Sequence, residues 1–145
     1  MWIKEKTNQL KQRYNTNCPY EIASYLKIHV MEHNLHPDIN GYYKYDRRNQ
    51  YIVINHNLDL EQQRIVCAHE LGHAVLHPKV NTPFMNNNTF LSVSKIEREA
   101  NRFAAELIIP DEAIAETSNL YELASLHGVP VELAKLKLFC KEELF

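Results

Sequence analysis

The stretch His69-Glu70-Leu71-Gly72-His73 decides how the rest of this chain is read. Two histidines stand four positions apart, with a glutamate directly after the first. On a helix such a pair shares one face, separated by about 6 Å along the axis. Both imidazoles can then reach one metal ion, with ring nitrogens at about 2.0–2.1 Å from a zinc. Glu70 lies about 100° around the helix from His69, so it cannot ligate that ion, but it can reach a water beside it. Hydrolysis needs this division of labour. The metal makes the water acidic, and the carboxylate takes its proton and later passes it to the leaving amine. The competing reading is a surface helix that carries the pattern by chance in a chain with 8 histidines and 14 glutamates.

The flanks favour a helix built around the motif. Asp59 and Gln62 have capping-box spacing, and Ile65, Ala68, Gly72 and Leu76 recur at intervals of three and four. Pro78 stops the pattern, which predicts a helix from Leu60 to His77. Gly72 costs that helix about 1 kcal/mol relative to alanine and signals close approach of a neighbour. Upstream, Tyr42–Tyr45 and Tyr51–Asn55 are aromatic and β-branched runs separated by the polar stretch 46–50, the pattern of a β-hairpin. Ile28–Met31 reads as a third strand, so a small three-stranded sheet precedes the motif. Pro19 opens a helix that ends near Lys27, and residues 3–14 have only weak helical character.

Downstream, residues 78–93 hold two prolines and four asparagines and read as a long loop with a short strand near Phe90-Leu91. A helix from Lys95 to Ile109 follows, with Ile96, Ala100, Phe103, Ala104 and Leu107 as its apolar stripe. Three short helices cover 111–116, 120–127 and 131–139, the last two joined at Gly128-Val129-Pro130.

A catalytic metal site needs a third protein ligand and an open position. The metzincin pattern would place a histidine ten residues after His69, where Lys79 stands. His77 lies two turns, about 12 Å, beyond His69, and reads as a histidine at the negative end of the helix dipole. Glu97, 24 residues after His73 and on the next helix, is the better candidate, with Asn101 one turn on to orient a ligand. Two alternatives stay open. Ser94 can draw Glu97 into a capping box, and Glu99 is a rival ligand, although it points away from the apolar stripe and toward solvent.

Composition narrows the function classes. At 145 residues, 45% hydrophobic and with a net charge of −2, the chain has room for one ordinary core and no global basic field. Residues 111–145 carry 3 Lys/Arg against 7 Asp/Glu, which repels phosphate. The helix pair around Gly128 has a helix-turn-helix look, but it is expected to pack or dock rather than read DNA. No nucleic-acid partner is expected. Cys18, Cys67 and Cys140 form no CxxC pair and fit a reducing cytosol as small apolar fillers. Met1–Lys6 lacks a signal-peptide pattern and no run approaches the roughly 18–20 apolar residues of a membrane span, so a cytoplasmic location is expected.

The run His69–His77, followed by Glu97-Arg98-Glu99-Ala100-Asn101-Arg102-Phe103-Ala104-Ala105-Glu106-Leu107-Ile108-Ile109-Pro110, closely resembles the ImmA/IrrE family of metallo-endopeptidases. Pro19–Ala23 and Ile52–Asn55 share in the likeness, which covers most of residues 18–110. The resemblance implies an α+β, zincin-like fold: a small antiparallel or mixed three-stranded sheet, an active-site helix and C-terminal helices. It implies a metallopeptidase domain over 1–110 and a helical appendage over 111–145. It further implies a gluzincin-type site with one Zn2+ held by His69, His73 and Glu97, and Glu70 as general base. Members typically inactivate a helix-turn-helix repressor of a prophage or mobile element, so such a repressor is the implied target. The rival reading is an anti-repressor that keeps the metal fold and blocks its partner without cutting it. Tyr42, Tyr43 and Tyr45 are candidates for polarising the scissile carbonyl.

Overall fold

Helix α3 (Leu60–Leu76) carries the motif and runs through the centre of a computed structural model that describes residues 2–85, 94–117 and 119–139. Its start is capped reciprocally. The Gln62 N–H donates to the Asp59 carboxylate at 2.8 Å, and the Asp59 N–H donates to Gln62 Oε1 at 3.3 Å. Gln63 and every residue from Ile65 to Ala74 are buried, so α3 is enclosed on nearly all sides rather than along one stripe. The sheet and the helices α2 (Pro19–Tyr25) and α4 (Lys95–Ile108) enclose it.

The sheet is mixed and four-stranded, in the order β1-β3-β2-β4. Strands β2 (Ile39–Asp46) and β3 (Asn49–Asn55) form the expected antiparallel hairpin, and β1 (His29–His33) runs parallel to β3. The hairpin is tighter than the polar stretch 46–50 suggested. Asp46 pairs with Asn49, leaving a two-residue turn at Arg47 and Arg48, with φ of 51° and 66°. Positive φ at both positions gives the twist that two-residue hairpins require. The fourth strand, β4 (Thr82–Met85), lies within the stretch read as loop and pairs antiparallel with β2. Pro83 is tolerated there because β4 is an edge strand, where a missing N–H need not break a ladder. The strand expected near Phe90-Leu91 lies outside the described residues.

The weakly patterned N-terminus is a full helix, α1 (Trp2–Tyr14). Ile3, Thr7 and Leu10 form its buried line, and Thr7 Oγ1 donates to the Lys4 carbonyl at 2.9 Å. A hydroxyl so satisfied is inexpensive to bury, which is why two apolar residues and a threonine suffice against α4. Beyond α4 come α5 (Asp111–Glu116), α6 (Leu120–His127) and α7 (Val131–Phe139). Gly128 ends α6 in the left-handed conformation at φ 62°, as its C-cap position requires. Helix α7 packs against α4, and its Lys137, 1% exposed, donates to Glu106 Oε2 at 2.8 Å and also reaches Asp111. Cys18 and Cys67 are free thiols, and burial pushes the Cys67 thiol far above its usual range. Among the described residues, no helix is long and apolar enough to cross a membrane.

Candidate active site

His69 and His73 stand one turn apart on α3, with their rings edge to face at 4.9 Å, and both are fully buried. Glu97 comes in from the first turn of α4. Its Oε1 lies 2.7 Å from His73 Nε2 and its Oε2 lies 3.0 Å from His69 Nε2. The Ser94 side chain makes no cap bond at this helix start, and both Glu97 oxygens face the imidazoles, so the carboxylate stands with the histidines rather than in a capping box. Glu70 completes the group. One atom each from His69, Glu70 and His73 lie within 4.8 Å of one another.

Gly72 explains how α4 comes so close. A Cβ there would sit 3.1 Å from Ala100 Cα and 3.1 Å from Phe103 Cβ. The glycine that weakens the helix in the sequence therefore lets the two helices that carry His69, His73 and Glu97 touch. Gly72→Ala should gain about 1 kcal/mol of helix propensity and lose about 1–3 kcal/mol to overpacking against α4 backbone. A net loss of about 1 kcal/mol is expected, read as a lower urea midpoint with unchanged slope.

Glu97 and the two imidazoles are electrostatically coupled. Burial works to raise the Glu97 carboxyl, but the two imidazoles override it and hold it at about 2. Burial lowers His73, which favours its neutral form, against a smaller opposing pull from Glu97. Glu70 is raised well above the carboxylate range by burial first and by the Glu97 charge second. Among the described residues, neither Glu70 oxygen has a hydrogen-bond partner. His73 Nε2 and Glu97 Oε1, although close, are not aligned as a hydrogen bond with each other or with any other described residue. Buried acceptors left without donors are costly in a native fold. Two imidazole nitrogens and a carboxylate converging in a buried space are the donor types that a zinc ion takes as ligands, so these residues fit the metal.

The far sides of the imidazoles are also engaged. His69 Nδ1 donates to Asn101 Oδ1 at 2.7 Å, and Asn101 is buried. His73 Nδ1 lies 3.1 Å from His77 Nδ1, and His77 Nε2 lies 3.0 Å from Glu99 Oε1. This corrects one expectation and extends another. Glu99 is not turned to solvent, since its side chain is 17% exposed and paired with His77. His77 does cap α3, but its ring is bound to side chains and not left to the helix dipole alone. The signal in the sequence was the third histidine at the same four-residue interval, matched by a second glutamate two residues after Glu97.

The tyrosine candidates fare differently. Tyr43 is buried, its hydroxyl donates to the Pro78 carbonyl, and it accepts from Gln50 Nε2 at 2.9 Å. It secures the end of α3 and is not available to a substrate carbonyl. Gly41 faces Val66 of α3, so the pleat turns Tyr43 and Tyr45 to the same side and Tyr42 to the opposite face of the sheet.

Comparison with known proteins agrees with the resemblance seen in the motifs. The family model for the IrrE N-terminal-like domain matches residues 23–139. An immunity region protein of Bacillus phage phi105 is 52% identical over 139 residues, covering 93% of this chain and 88% of that protein. Metallopeptidase ImmA of Bacillus subtilis strain 168 is 35% identical over 114 residues, covering 79% of this chain and 67% of that protein. With the match running from α2 to the end of α7, the chain belongs to the IrrE N-terminal-like domain family of metallopeptidases.

Proposed function

We propose that this chain is a zinc-dependent endopeptidase with a zincin-like, gluzincin-type site, acting in the cytoplasm on a helix-turn-helix transcriptional repressor and so relieving repression of a prophage or mobile element. The observation that carries the reading is the convergence of His69, His73 and Glu97 beside a buried Glu70 that no donor among the described residues satisfies. In this reading His69 and His73 present Nε2, and Glu97 its carboxylate, as the three metal ligands. A bound zinc supplies Lewis acidity, polarising the scissile carbonyl and acidifying water. Glu70 accepts a proton from the water as its oxygen attacks the carbonyl carbon, then delivers that proton to the amine as the C–N bond breaks. Burial makes the Glu70 carboxylate a stronger base than one in water, which suits it to that transfer. The target class draws support from the relatives' names, an immunity region protein of a phage and metallopeptidase ImmA.

The test is co-expression with a candidate helix-turn-helix repressor from the same genetic element. Wild type should yield repressor fragments, and Glu70→Gln, which keeps size but cannot accept the proton, should yield none. Relief of repression by both forms with the repressor intact would overturn proteolysis in favour of a non-cleaving anti-repressor.

A further inference from the structure

The two imidazoles of the candidate site are backed by different chemistry. Behind His69 stands a neutral amide, Asn101. Behind His73 stands a second imidazole, itself backed by a carboxylate. His77 is the C-cap of α3, and its N–H bonds the His73 carbonyl at 2.7 Å, so its ring folds back over the turn that holds His73. Glu99 reaches it from α4. We propose that His77 and Glu99 are positioning residues: a relay that fixes the tautomer and orientation of His73 and tightens its hold on a metal ion. The inference rests on the reading of His69, His73 and Glu97 as ligands.

Proton bookkeeping carries it. A ligating Nε2 offers its lone pair, so the His73 proton must sit on Nδ1. That Nδ1–H faces His77 Nδ1 at 3.1 Å, which must therefore accept. The His77 proton is then on Nε2, where Glu99 Oε1 accepts it at 3.0 Å. Every nitrogen has one role and no proton is missing. The opposite tautomer of His77 fails, because it would set an Nε2 lone pair against the Glu99 carboxylate. The carboxylate at the far end thus selects the tautomer of both rings. A ligand so backed is more basic and less free to rotate, and outer partners of this kind are typically worth about 10–100-fold in metal affinity.

The experiment is zinc affinity of the purified full chain, measured by competition with a chromophoric chelator, with circular dichroism to follow folding. Wild type should bind one zinc, and failure to do so would overturn the ligand reading and the relay with it. His77→Phe, which removes the acceptor, should bind zinc about 10–100-fold more weakly. His77→Asn puts an oxygen acceptor where Nδ1 stands and should recover part of the loss. Glu99→Gln should weaken zinc alone, but should add nothing in combination with His77→Phe, as expected of residues acting in series. Nitrogen-15 spectra of the zinc-loaded wild type should show His73 as the Nδ1–H tautomer and His77 as the Nε2–H tautomer. Unchanged zinc affinity in His77→Phe, additive losses in the double variant, or His77 protonated on Nδ1 would each overturn the relay.

Discussion

Glu97→Ala protein, purified from zinc-containing medium and desalted, is expected to retain almost no metal where wild type retains one ion per chain. The change removes the only negatively charged member of the proposed ligand set. It leaves two neutral imidazoles on one helix, and a catalytic zinc needs three protein donors. The loss should exceed the 10–100-fold typical of an outer partner. The fold should survive with a modest loss of stability, since the imidazoles that hold the Glu97 carboxyl low lose their partner while its push on Glu70 is relieved. Glu97→Gln, with one oxygen donor and no charge, should fall between. The measurement is zinc per chain by elemental analysis alongside a thermal melt. Full occupancy in the alanine variant would reject Glu97 as a ligand.

Lys137→Met should produce the largest loss of stability among substitutions away from the proposed metal site. The ammonium is fully enclosed, and its partner Glu106 is 2% exposed. Removing one member of such a pair strands the other charge and typically costs about 3–5 kcal/mol. That is a large share of the 5–15 kcal/mol of a typical domain and corresponds to roughly 10 °C in Tm. Asp111 shares the lysine but is half-exposed and adds little. The companion variant, Lys137→Met with Glu106→Met, removes both charges and should recover most of the loss. A double variant no more stable than the single one would show that the pair is not what holds α7 to α4.

These two sites differ in how far the sequence reveals them. His69, Glu70 and His73 are local: a four-residue interval on a capped helix fixes their relation, and the structure keeps it. The hairpin was legible for the same reason, because β2 and β3 are adjacent in sequence and rich in residues that suit a pleat. Nonlocal pairings left weaker traces. The parallel partner of β3 is β1, about twenty residues away, and no residue type announces that register. Strand β4 hides in a proline- and asparagine-containing stretch because an edge strand need not satisfy the rules of a central one. Helix α1 shows only Ile3 and Leu10 as apolar anchors, since Thr7 fills the third buried position with a self-satisfied hydroxyl. Lys137 stands in an acidic C-terminal stretch that gives no sign of being buried, and its partners lie on other helices. The apolar stripe of α4 does not reveal the setting of Glu99, because the residue that engages it sits just past the end of α3.

The contact of Gly72 with α4 bears on when the entropy of assembling the proposed ligands is lost. His69 and His73 belong to one rigid helix and Glu97 to another, and Gly72 lets the two backbones meet without an intervening side chain. The carboxylate is thereby tethered to the imidazoles with almost no slack, at a very high effective concentration. Ordering of the donors then belongs to the folding equilibrium, not to metal capture. Loading should accordingly proceed as a simple one-step association, with little change in circular dichroism.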